Sequence, residues 1–168
     1  CTASEVKQHA KDLKKLKNAP WFVTFSHHFY NELCGHARSL RQEIGKLTNQ
    51  EPGINSGFTP LGEEVLHILL DNKNGRRILI DVKHMSPIGR KKFYEIRKTK
   101  YKSEIPIIIS HGVCNGLPTY GATVSNYPEL GNTFINPLED DIGGDGKYKD
   151  HNLVNFFDDE IIEMVQSG

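Results

Sequence analysis

The chain of 168 residues carries no surplus charge of either sign: 21 Lys and Arg stand against 21 Asp and Glu. That removes the sequence-independent attraction to phosphate backbones and anionic lipid, so neither nucleic acid nor a membrane surface is an expected partner. Long apolar runs are missing too. Val65–Leu70 and Ile105–Ile109 are the longest, each is interrupted (by His67 and Pro106), and a membrane span needs roughly 20 apolar residues. The opening stretch, Cys1 to Lys7, holds no apolar segment of the signal-peptide kind. Cysteine is scarce: Cys1, Cys34 and Cys114 are too few and too far apart for a disulfide framework or a zinc ribbon. Phosphate-cradling glycine patterns and the Gly-x-Ser-x-Gly elbow of serine hydrolases are absent. Asp140–Gly146 has the composition of a calcium loop without its register, and reads as an acidic turn.

What is present is an alternation of periods. Residues 4–17 place Val6, Ala10, Leu13 and Leu16 on one helical stripe behind Ser4 as cap. Trp21–Ser26 is a short aromatic and β-branched run, which predicts a buried strand. Thr59-Pro60 and Ser86-Pro87 each pair a capping side chain with a proline at the first helical position, where a missing N–H costs nothing. The first opens a helix with Leu61, Val65, Ile68 and Leu69 inward, ended by Asn74-Gly75; the second buries Ile88, Phe93 and Ile96. Arg90, Lys91, Lys92, Arg97, Lys98 and Lys100 read as the wet face of that second helix. Strands are expected within Arg77–Val82 and Ile105–Ser110, and a last helix behind Asp158 with Ile161, Ile162 and Val165 inward.

The expected order is therefore α-β-α-β-α-β-α, an α/β fold in which a parallel sheet is covered by helices. Residues 1–168 fit one domain by length. Residues 112–156 show no clear period and are read as a long loop excursion, well beyond the roughly 12–15 residues at which such loops become uncommon.

The histidines carry the chemistry. Of eight, three follow expected strands: His27 after the first, His84 after the second and His111 after the third. C-terminal strand ends in a parallel βα array share one rim, where ligand sites are built. Imidazole is the commonest side-chain ligand for zinc, so three such residues in series point to a metal. Strand alternation is expected to turn His28 away from His27. His9 and His67 lie on helices and read as surface or packing residues, and nothing in the spacing of His36 or His151 separates ligand from bystander.

These residues fall into motifs. Ile80-Asp81-Val82-Lys83-His84-Met85-Ser86, followed by a helix and Pro106-Ile107-Ile108-Ile109-Ser110-His111, resembles the membrane (renal) dipeptidase family. Thr24-Phe25-Ser26-His27, Gly57-Phe58-Thr59-Pro60-Leu61-Gly62 and Asn155-Phe156-Phe157-Asp158-Asp159 are similar to further motifs of that family, in the same order. The resemblance implies a zinc-dependent, amidohydrolase-like (β/α)8 barrel acting on a small peptide or amide. It implies that His84 and His111 are ligands of one zinc in a two-metal site and that His27 is a catalytic residue contacting the substrate carbonyl. The family's His-x-Asp pair occurs nowhere in this chain, and no arginine follows Arg97 to meet a substrate carboxylate. A barrel of eight units takes typically about 250 residues, so the chain is expected to be an incomplete barrel of about three consecutive βα units. Such a fragment is expected to bind at most one zinc, weakly, and to lack two-metal catalysis by itself. The alternative is a non-catalytic α/β module with structural histidines that forms homo-oligomers through open sheet edges, or packs with a partner chain.

Overall fold

The computed structural model describes residues 1–40, 47–73, 75–115, 117–120 and 154–167. The acidic stretch Asp140–Gly146, His151 and most of the predicted excursion lie outside them. The described residues form a mixed α/β fold of four helices and a two-stranded parallel sheet: α1 (Ala3–Lys15), β1 (Phe22–Thr24), α2 (Pro60–Leu70), β2 (Leu79–Asp81), α3 (Pro87–Tyr101) and α4 (Asp158–Val165). Among them no helix is long and apolar enough to cross a membrane.

The strands run in register, Phe22 beside Leu79, Val23 beside Ile80 and Thr24 beside Asp81. The predicted third strand contracts to one parallel bridge between Ile108 and Asp81. Its residues explain why. Pro106 has no N–H to donate, the Ile107 N–H turns to Ser167 Oγ at 3.1 Å, and the Ser110 N–H goes to the Asp81 carboxylate at 3.1 Å. Only Ile108 remains for the ladder, accepting from the Val82 N–H at 3.0 Å. The first strand is also less buried than its sequence predicts, with Trp21 75% exposed beneath the Arg76 guanidinium.

Both cap-then-proline helices start where expected. Thr59 Oγ1 accepts from the Gly62 N–H at 3.0 Å and Ser86 Oγ accepts from the Gly89 N–H at 2.9 Å. Helix α1 is capped by Thr2 rather than Ser4, in a Thr2–Glu5 capping box, and it ends before Leu16, which is exposed instead of lying on the inward stripe. Helix α2 stops at Leu70, short of Asn74-Gly75, because the buried ammonium of Lys14 takes the carbonyls of Ile68 and Asp71 at 2.6 and 2.7 Å. Gly62 and Gly35 are required by close approach: a Cβ would lie 1.8 Å from the Leu33 oxygen or 2.0 Å from that of Ser56.

The core is continuous from α2 (Val65, Leu66, Leu69, Leu70) through Ile78, Ile80 and Val82 to Phe93, Ile96 and Ile105. Helix α4 corrects two expectations. Its apolar residues Ile162 and Val165 face solvent, and it presents Glu160 and Glu163 inward instead. The partners are Arg90 and Arg97, predicted on the wet face of α3 yet fully buried, with Ile88 the exposed one. Arg90 Nε and Nη2 meet the Glu160 carboxylate at 2.6 and 2.9 Å, and Arg97 Nη1 meets Glu163 at 2.8 Å. Residues 113–115 and Phe156 lie side by side, with Asn115 N–H to Phe156 C=O at 2.9 Å and Phe156 N–H to Val113 C=O at 3.1 Å.

Candidate metal centre

The register of the strands generates the site. Thr24, Asp81 and Ile108 lie side by side across the sheet, and three residues beyond each stands a histidine: His27, His84 and His111. Side-by-side positions on neighbouring strands are about 4.7–4.9 Å apart. The imidazole centroids keep that spacing, 4.5 Å from His27 to His84 and 5.2 Å from His84 to His111. The three predicted site residues thus lie along one rim.

His28 belongs to the same cluster, which corrects the expectation that it turns away. Extended pairing ends at Thr24, so strict alternation no longer governs residues 27 and 28. Its ring lies 3.8 Å from that of His27 and 4.9 Å from that of His84. One ligand atom from each of His27, His28 and His84 falls within 4.8 Å of the others, and this trio can hold a metal ion. Exposure is graded across it: His27 open to solvent, His28 half-buried, His84 buried.

His84 sits in an unusual backbone. The Met85 N–H returns to the Val82 carbonyl at 3.2 Å, closing a turn in which His84 takes the left-handed conformation at φ +68°. That position is ordinarily given to glycine or asparagine, and for other residues it costs of order 1–3 kcal/mol. The loop at residues 34–37 fastens it, with Ala37 N–H to His84 C=O at 2.9 Å and Ser86 N–H to Gly35 C=O at 3.1 Å. The ring Nδ1 is buried without a hydrogen-bond partner, a rarity among buried polar atoms. Burial first, then the neighbouring His27, Lys83, His28 and His111, push its pKa down to about 3. Burial, with His27 and His36 behind it, lowers that of His28 as well. Both rings are therefore held neutral with a lone pair for an electrophile, the form a metal requires.

Around the rim, polar side chains fix the rings. Buried Asp81 accepts from Thr24 Oγ1 at 2.8 Å, Ser110 Oγ at 2.7 Å, and the N–H groups of Lys83 and Ser110, both at 3.1 Å. Ser110 Oγ, its proton directed to Asp81, lies 2.9 Å from His111 Nδ1. His28 Nδ1 is 2.6 Å from Ser39 Oγ. Sequence reasoning missed Asp81, Ser110 and Ser39 as orienting groups. The Asp-x-x-His and Ser-His spacings were a signal for the first two; Ser39 has none.

The other described histidines stand apart. Both ring nitrogens of buried His36 face backbone carbonyls, those of Ala37 at 3.2 Å and Pro52 at 3.1 Å. His67 Nδ1 is 2.8 Å from the Tyr101 hydroxyl, and His9 is exposed on α1. Ser26 and Ser86 are structural, bonding the carbonyls of Cys34 and Ser56. Burial raises the Cys34 thiol to about 12, which makes it inert. Compared with known proteins, the chain matches no protein-family model, no curated protein and no solved structure.

Proposed function

We propose that this chain carries part of the metal site of a zinc-dependent hydrolase of the dipeptidase type, acting on a small peptide or other amide. In this reading its fold is a slice of a (β/α)8 barrel of about three units, with the rim at the C-terminal strand ends. The observation that carries it is the register of Thr24, Asp81 and Ile108, which sets His27, His84 and His111 abreast. Support comes from the donors themselves: adjacent imidazoles, one of them held neutral and buried with an unsatisfied nitrogen, are what a borderline cation selects. When bound, zinc supplies a water acidic enough to give hydroxide near neutral pH and polarises the scissile carbonyl.

The chain's own contributions are orientation and access. Asp81 and Ser110 hold the His111 ring through its Nδ1, and Ser39 holds that of His28. The open side of the rim lies at His27 and His111, both exposed, which is where a substrate reaches the cluster. The resemblance assigns His27 to the substrate carbonyl and His84 and His111 to the ion. Calorimetric titration of the full chain with zinc, alongside hydrolysis of a dipeptide panel, tests the reading. One ion per chain, lost in His84→Ala, supports it.

The second reading, a non-catalytic module that self-associates, is favoured by one observation: the outer edge of β1 is unpaired among the described residues. No zinc bound by the wild-type chain, together with a concentration-dependent dimer in sedimentation, would select it.

A further inference from the structure

Resting on the reading of the rim as a metal site, we infer that a single ion is held by His27, His28 and His84, with His111 outside the ligand set. This divides the labour differently from the family resemblance, which pairs His84 with His111, gives His27 to the substrate carbonyl and omits His28. The ligand atoms of residues 27, 28 and 84 lie within 4.8 Å of one another, a group that His111 does not join. A tetrahedral ion with bonds of about 2.1 Å keeps its ligand nitrogens roughly 3.4 Å apart, so closing the trio needs rotations of an ångström or so. Exposed His27 is free to supply them.

Two further observations point the same way. With Nδ1 of His28 engaged by Ser39 Oγ at 2.6 Å, Nε2 is the atom left to ligate, and the hydroxyl fixes the ring plane. His84, only 6% exposed, carries a buried Nδ1 that no protein group satisfies. His111 has the same kind of tether, to Ser110 and through it to Asp81, and is set apart by position: it lies beyond His84 from the doublet, outside the group of mutually close ligand atoms. Three imidazoles without a carboxylate select zinc, cobalt, nickel or copper over magnesium or calcium. Among the described residues no further ligand joins them, which leaves a fourth position for water or substrate, as in catalytic rather than structural zinc sites.

Cobalt(II) titration of the full chain, followed by visible absorption and calorimetry, tests the ligand set without any activity readout. Wild type is expected to bind one cobalt per chain with the strong visible bands of a tetrahedral site. His27→Ala, His28→Ala, His28→Gln and His84→Ala should each weaken binding at least tenfold and change the spectrum. His111→Ala should stay within about twofold, and Ser39→Ala should lose roughly tenfold. Far-ultraviolet circular dichroism of each variant separates ligand loss from misfolding, and His28→Gln preserves bulk where alanine does not. Binding that survives in both His28 variants but vanishes in His111→Ala overturns the ligand set and leaves the metal reading standing. Two ions per wild-type chain likewise overturn it. Failure of folded wild type to bind cobalt or zinc defeats the metal reading itself.

Discussion

Two of the regions that bury ionisable side chains treat them in opposite ways. Along the seam between α3 and α4, Arg90 reaches Glu160 with two nitrogens and the Met85 and Asn155 carbonyls at 2.8 and 3.0 Å. Arg97 meets Glu163 and the Ser103 carbonyl, and Lys98 also pairs with Glu163. The Tyr94 hydroxyl donates to Glu160 at 3.2 Å, and burial first, then that carboxylate, drives its pKa well up. The histidine rim does the reverse. It crowds four imidazoles together, leaves His84 Nδ1 without a partner and holds that residue at φ +68°. A compensated seam serves the fold. An uncompensated cluster in a strained backbone is what a stability margin of roughly 5–15 kcal/mol tolerates only where another purpose is met.

The largest effect expected from breaking this contrast is at the seam. Glu160→Ala strands the Arg90 guanidinium in the interior and should cost about 3–5 kcal/mol in urea unfolding; a loss below 1 kcal/mol would show that water reaches the pair. At the rim the expected signature is in pH. His84 is neutral when folded down to about 3, whereas the unfolded chain takes up that proton near the ordinary imidazole value of 6.5. The unfolded state binds more protons between those values, so this stability is present above pH 6.5 and is lost as pH falls toward 3. The groups facing the ring are His27, His28, His111 and Lys83. His84→Asn, which tolerates the left-handed backbone, should flatten the acid limb of the curve, read as urea midpoints against pH. An unchanged limb would mean that the ring is charged when folded. The smallest effect sharpens the contrast: Ser110→Ala removes one donor from Asp81 and the tether of His111, and should cost about 1 kcal/mol. Broadened His111 ring signals in NMR would accompany it.

Local rules read well where one side chain decides. The two cap-then-proline starts were legible because Thr59 and Ser86 need only the next turn of backbone. The rim was legible because one histidine follows the end of each expected strand. Burial of Arg90 and Arg97 was not, since a basic residue on a helix looks solvated until its carboxylate, 70 and 66 positions later, is docked. The third strand was over-read for a similar reason: Ile-Pro-Ile-Ile-Ile has strand composition, but Ser167 and Asp81 divert its N–H groups from the ladder. His28 reads as turned away only when alternation is carried past Thr24, the last residue of the strand.

The return of the chain at Phe156, a hydrogen bond away from Val113 and Asn115, has a consequence for insertions and deletions. Where two ends already touch, spacer length enters only through its logarithm, and each doubling costs about 0.6 kcal/mol. By that relation, a change in the number of residues between Asn115 and Phe156 should cost the fold little as long as those two hydrogen bonds still close.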